Sequence, residues 1–425
     1  MAVQRNRLAD AASKYDLLLV VTVVALLAIG LMMVYSSTTF HGVNFRLNKD
    51  PDYFFFRQLI WLGVGLAVLI ILARIDYRRW RPLSVLIMLG ALAALFLVLV
   101  LGVAKHGGQR WLLEIGSEQA GDAAPLGGSV QPSEFAKLAV VVYLADWLSS
   151  KGERIRKARA GLIPFALLVG FVAGLVILEH HMSSAVLIVA TAMAMFLVAG
   201  AQVWQLVVSG LLGSIPFVYL VLDSPYRLQR ILAFLSPLNT QARESDQVIQ
   251  GLIALASGGL TGLGPGESRM KFGFLPLAHT DSIFAVLGEE MGLIGCLVVL
   301  GLFAFLAYRA FRVATNAADM FGVLLATGIT CSLTLQALVN IAVVTATAPS
   351  TGVPLPFISY GGSSLVMCLA GVGLLLSVSR GASSTEVTTD TREVTLQSET
   401  GDIGRWDRRS RLSRSRRRRV ADSWD

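Results

Sequence analysis

Apolar residues in this chain come in long runs, without the two- or 3.6-residue rhythm of elements that keep one face wet. A bilayer-spanning helix takes roughly 20 mostly apolar residues. Such runs lie near residues 17–36, 58–73, 82–103, 132–148, 161–178, 183–200, 203–222, 282–308, 320–347 and 360–380. They predict an all-α, polytopic membrane protein with about ten transmembrane helices. The longest, 282–308 and 320–347, have length to spare for tilt. The first run is too long for the apolar core of a signal peptide, and no small-residue cleavage site follows it. It reads as an uncleaved first helix.

The polar segments between the runs carry the orientation. Basic residues crowd the N-terminal segment (Arg5, Arg7, Lys14), the second loop (Arg74, Arg78, Arg79, Arg81), the fourth (Lys151 to Arg159) and the eighth (Arg309, Arg312). With ten spans these fall on one side, which the positive-inside rule makes the cytoplasm, and both termini follow. Three parts result: a cytoplasmic segment 1–16, a ten-helix domain 17–380 with a large outer loop 223–281 between helices 7 and 8, and a tail 381–425. The tail is Ser/Thr-rich and ends in RWDRRSRLSRSRRRR, a composition expected to stay disordered and to touch anionic lipids.

Composition agrees. Hydrophobic residues make up 54% and charged residues 15%, against about 25% charged in soluble domains. The net charge of +8 is unevenly placed and bears on topology, not on nucleic acid. Cys296, Cys331 and Cys368 lie inside apolar runs and read as small hydrophobes, with no disulfide or metal spacing.

Gly, Pro and isolated charges collect in the outer loops, so the chemistry is expected there. Gln131-Pro132-Ser133-Glu134 opens a helix, and Glu134 and Lys137 share one of its faces. Charges at membrane depth are costly unless paired. The two form either a buried salt bridge that fixes the helix or part of a cationic wall for an anionic lipid headgroup. Arg110, beside Trp111, reads as a phosphate contact or an interfacial anchor. In the seventh loop, Arg227 and Arg230 sit on a short amphipathic segment, residues 247–256 are apolar but too short to span, and Arg269 and Lys271 add positive charge. The glycines from Gly258 to Gly266 lack the context of a phosphate loop and read as turns. His279-Thr280-Asp281 stands at the mouth of the eighth helix. Asp281 is either a helix cap or a carboxylate placed to take a proton from a bound hydroxyl. Glu289 and Glu290 follow, with a structural role expected. The ninth loop, APSTGVPLPFISYGGSSL, holds Ser363, and Asn340 precedes it. Irregular backbone at that depth must be buried or line a cavity.

The segments GGQRWL, QPSEFAKL, YRLQRILAFLSP, LAHTDSIFAVLGEEMGLIG and TGVPLPFISYGGSSL resemble, in order, those of the SEDS family (shape, elongation, division and sporulation), the FtsW and RodA group. The resemblance implies a peptidoglycan glycosyltransferase of the bacterial cytoplasmic membrane. Such an enzyme polymerises lipid II, an undecaprenyl-diphosphate-linked disaccharide pentapeptide, on the outer face, beside a class B penicillin-binding protein and other divisome membrane proteins. The family's catalytic Asp corresponds to Asp281. Glycan elongation needs a base for the acceptor 4-hydroxyl, and Asp281 supplies one. It also needs positive charge for the departing diphosphate, for which Arg57, Arg110, Lys137, Arg227 and Arg230 are candidates. Glu134, Lys271, His279, Thr280, Asn340 and Ser363 complete the candidate substrate-binding set. No cofactor is called for; a divalent cation such as Mg²⁺ or Mn²⁺ stays open. In the fifth outer loop many members have Pro-Asp-Leu-Gly-Thr, where this chain has His180-His181-Met182-Ser183-Ser184. The GLMMVYSS end of the first helix and the charged tail favour the FtsW-type division branch over the elongation branch. Two other classes compete, a lipid II flippase and a non-catalytic division scaffold. A flippase needs polar groups open to both faces, whereas here they collect on one.

Overall fold

The computed structural model describes residues 15–38, 52–101, 103–105, 108–111, 131–179, 181–236, 243–276 and 278–381. Each of the ten apolar runs falls on one helix. They are α1 Leu17–Thr38, α2 Tyr53–Arg74, α3 Ser84–Leu101, α4 Pro132–Ser149, α5 Ile163–Leu178, α6 Met182–Val198, α7 Val203–Asp223, α10 Ile283–Thr315, α11 Met320–Val344 and α12 Gly362–Gly381. Seven have the length and apolarity of a span; α3 and α6 are shorter, and α4 carries Glu134, Lys137 and Asp146. Two amphipathic helices of the large loop, α8 Pro225–Leu235 and α9 Arg243–Gly258, complete the helical set. The protein is a multi-pass, all-α membrane protein, and among the described residues the one exception is a short antiparallel hairpin, Val103–Lys105 with Gly108–Trp111. The basic N-terminal residues and the tail beyond Gly381 lie outside the described residues, as does the side chain of Arg110.

Helix α11 is the hub. It packs on α4, α6 and α10, and α10 packs on α1 and α9. By contrast only Gln205 and Val221 of α7 are buried, so its apolar surface is left for lipid.

Helix α10 runs 33 residues, with a break at Gly292, whose φ of 66° and ψ of −166° are not helical. At ~1.5 Å per residue the element exceeds the ~30 Å hydrocarbon core. Before the break, every residue from Ile283 to Glu290 is buried, because the Gly258–Lys271 loop is stitched onto this stretch. Leu263 N–H donates to the Glu289 carbonyl and Gly264 N–H to that of Glu290, while Leu293 and Ile294 donate back to Gly259 and Leu260. The backbones meet so closely that a Cβ on Gly262 would lie 2.1 Å from the Glu290 carbonyl oxygen. Gly259 to Gly266 lie in turns, and the smallness of Gly262 lets the loop close on the helix.

Charged pairs sort to the bundle's two ends. At one end Arg309 grips Asp16 at 2.7 Å, Arg81 reaches Asp146 at 3.0 Å and Arg78 approaches Asp319 at 3.4 Å. Tyr77 also donates to Asp319, and its phenol is pushed up to about 12, chiefly by burial. All of these residues lie on the side the basic loops assign to the cytoplasm. At the other end are the pairs of Lys137 and Lys271, and Asp281.

Candidate active site

Asp281 ends an irregular segment whose carbonyls are all held. His279 O accepts from Tyr360 N–H at 3.0 Å. Thr280 O accepts from the Ser359 hydroxyl at 2.7 Å, and Asp281 O from Asn340 Nδ2 at 2.9 Å. The same Asn340 nitrogen donates to Val353 O at 2.8 Å. Gln58 of α2 binds the ninth segment from its other side, through Ser359 O and Gly361 N–H, both at 3.4 Å. The prolines and glycines of residues 348–361 thus form the buried irregular backbone expected there, and it serves as a brace for His279-Thr280-Asp281. The N-cap position of α10 is Ser282, which makes no side-chain cap bond. Its hydroxyl instead donates to Pro276 O and accepts from Gln247.

Burial pushes the His279 imidazole down to about 4, so it is neutral at neutral pH. Its ring lies 5.3 Å from Phe54 and 5.7 Å from Tyr360, and its buried Nδ1 has no hydrogen-bond partner. Arg57 joins this cluster from α2. It donates to the Tyr53 hydroxyl at 3.0 Å and lies over the Tyr53 ring.

Lys137 and Glu134 do pair, at 2.9 Å and almost fully buried, and Lys137 also donates to Gln336 Oε1 at 2.7 Å. Both readings of the pair survive this geometry, because the two charges also line a pocket with Gln336, Leu333, Ser332 and Cys368. Gln336 donates in turn to Pro354 O at 3.0 Å. Gln336 and Asn340 lie four residues apart on α11, so the Lys137 pocket and the Asp281 brace are about one helical turn apart.

The other candidates divide. Arg230 Nη1 reaches Ser350 O at 3.3 Å and so borders the ninth segment. Arg227 donates to Leu220 O at 2.9 Å, near the end of α7. Ser363 is half-buried in the first turn of α12, beside the brace. Lys271 points elsewhere. Its ammonium is buried against Glu290 at 3.1 Å, Ser36 at 3.1 Å and the Gly266 carbonyl at 2.5 Å, which fixes the loop onto α10. These contacts give the Lys271 charge a part in docking the loop onto α10. Glu289 likewise holds the loop, accepting from the Ser268 hydroxyl and the N–H groups of Arg269 and Met270. Gln58, Gln336 and Ser359 were missed in the sequence. The signal was there for the two glutamines, since a lone amide in an apolar helix is costly unless it is used. Among the described residues no three His, Cys, Asp or Glu side chains form a metal-binding group.

The sequence profile of the cell cycle protein family of FtsW, RodA and SpoVE matches residues 16–384. The chain belongs to this family. Among curated relatives of the FtsW/RodA/SpoVE family, stage V sporulation protein E of Bacillus subtilis is 42% identical over 370 residues, covering 86% of this chain and 97% of that protein. A Trichlorobacter lovleyi protein named probable peptidoglycan glycosyltransferase FtsW is 41% identical over 373 residues, covering 87% and 94%. Among solved structures, a chain of a peptidoglycan synthase complex that coordinates polymerization and crosslinking superposes with a TM-score of 0.69 at 29% identity, covering 87% of this chain and 98% of that one. The rod shape determining protein RodA of Thermus thermophilus gives 0.62 at 29% identity, covering 86% and 97%.

Proposed function

We propose that this protein is a peptidoglycan glycosyltransferase that polymerises lipid II on the outer face of the cytoplasmic membrane, with Asp281 as the general base. The observation that carries the reading is the brace: three consecutive carbonyls, His279 to Asp281, are each tied down at a helix mouth. A cap does not need this, whereas a base held at fixed geometry does. In the reaction the acceptor 4-hydroxyl attacks the anomeric carbon of the donor sugar and its proton passes to the Asp281 carboxylate. The bond from that carbon to the diphosphate oxygen breaks, and the diphosphate leaves with its charge met by cations. Arg57, Arg230 and Lys137 are the candidates nearest the brace; Arg227 and Arg110 are the remaining ones. The neutral His279 leaves positive charge to these groups.

The septal branch is supported by the 41% identity to a protein named FtsW. The alternation of basic loops supports a cytoplasmic position for both termini. The partner is a class B penicillin-binding protein, in keeping with the synthase complex among the structural neighbours.

The test is polymer formed from labelled lipid II by purified Asp281→Asn protein with its transpeptidase partner. Asn keeps the shape and caps helices as well as Asp, but its amide takes no proton. A base predicts a loss of about 10²–10⁴-fold. Near-native polymerisation by folded Asp281→Asn would hand the role to another carboxylate, with Glu134 next.

A further inference from the structure

The surroundings of His181 give it a task. The head of α4 does not cap itself. Gln131 occupies the N-cap position without a side-chain cap bond, and Pro132 follows. Instead the Gln131 amide lies 3.2 Å from His181 Nδ1, and the Ser133 hydroxyl lies 3.1 Å from the same nitrogen. Gln131 Nε2 can only donate, so Nδ1 accepts and the ring proton sits on Nε2, which faces the Ser184 hydroxyl at 3.5 Å. His181, Ser133 and Ser184 are all buried. Glu134 follows Ser133 directly, and its N–H closes the first turn on Gln131 O. Lys137 follows one turn later, its ammonium shared between Glu134 and Gln336. The imidazole therefore grips the one turn that aims both charges into the pocket between α4, α11 and α12.

We propose that His181 is a positioning residue for substrate: by accepting from Gln131 and Ser133 it fixes the first turn of α4, and so the placement of Lys137 toward the diphosphate. This rests on the reading that Lys137 holds that diphosphate. What matters at His181 is a hydrogen-bond acceptor at the Nδ1 position, which a carboxylate or a carboxamide also supplies.

The experiment is a double-mutant cycle on the purified full-length protein with its transpeptidase partner, reading KM and kcat for labelled lipid II. His181→Leu should raise KM roughly three- to tenfold, the worth of one buried hydrogen bond, with kcat much less affected. His181→Asn should restore KM to within about twofold. Lys137→Ala should raise KM about tenfold or more, and adding His181→Leu to it should cost little further, since the group being positioned is gone. If Lys137→Ala raises KM while His181→Leu does not, the role of His181 is overturned and that of Lys137 stands. If Lys137→Ala leaves KM unchanged, the diphosphate reading falls and the role of His181 falls with it. Effects of the two changes that simply multiply also overturn the proposal. Should His181→Leu not give folded protein, Ser133→Ala removes only the hydroxyl facing Nδ1: raised KM supports the proposal and native KM refutes it.

Discussion

Asn340 gives the sharpest test of the brace. Its single amide nitrogen donates to Asp281 O and Val353 O at 2.9 and 2.8 Å, so one side chain joins the helix mouth to the ninth segment. Asn340→Leu keeps the volume and removes both bonds. Polar contacts between membrane helices average only ~0.6 kcal/mol, which sets a floor near 1 kcal/mol for two. Each carbonyl is then left without a partner in a buried site, at ~1–3 kcal/mol apiece, so we expect a loss of about 2–4 kcal/mol. Asn340→Asp is expected to be worse, because an ionised carboxylate can only accept and would face two carbonyl oxygens. The assay is thermal unfolding of the purified protein alongside lipid II polymerisation. A brace predicts that the transition temperature and kcat fall together, in the order native, Leu, Asp. If Asn340 instead touched substrate, as its sequence position suggested, Leu would raise KM and leave the transition temperature alone. A stable, fully active Asn340→Asp protein would refute the brace.

Two further outcomes follow from buried charge. Lys271→Met strands Glu290 and Ser36 and should cost about 3–5 kcal/mol, while the double change Lys271→Met, Glu290→Leu should recover much of it; recovery absent in thermal unfolding would show that the pair does more than hold the loop. His279, down at about 4 when folded against 6.5 unfolded, is the acid-sensitive group. Between those values the unfolded chain takes up a proton that the folded protein refuses, so stability falls as pH drops, by up to roughly 1.4 kcal/mol per unit. His279→Phe should flatten that slope between pH 6.5 and 4, and an unchanged slope would remove His279 as its cause.

The ten helices could be read because apolar runs of that length have one outcome in a bilayer. Their exact use could not. Lys271 and Arg230 look alike in the sequence, two cations in one outer loop. One turned inward to Glu290 and the other toward Ser350, and only the docking of residues 258–271 onto α10 separates them. Glu290 was expected to be structural, and the cation it holds is in the loop. Asn340, a candidate for substrate binding, donates to two carbonyls. Each of these contacts is long-range, where no local pattern reaches. Asp281 could be proposed from the sequence because its neighbours on both sides, His279 and Glu289, belong to one continuous motif.

The geometry of α11 ties the two halves of the site together. Gln336 fixes Lys137 and the Pro354 carbonyl, and Asn340 fixes Asp281 and Val353. Pro354 and Val353 are adjacent, so the ninth segment is held at two neighbouring carbonyls by two amides one turn apart on a single rigid helix. In the proposed reaction the base and the diphosphate cation must keep their separation while a polymer passes between cycles. Loops alone would not hold it, since each could shift independently. A helical turn does: its rise is set by the backbone hydrogen bonds at ~1.5 Å per residue, and a residue inserted between 336 and 340 would swing one amide by about 100° off the shared face. On the proposed roles of Asp281 and Lys137, the spacing of these two amides would set the distance between proton acceptor and phosphate site, a reason for a membrane helix to bear the cost of burying both.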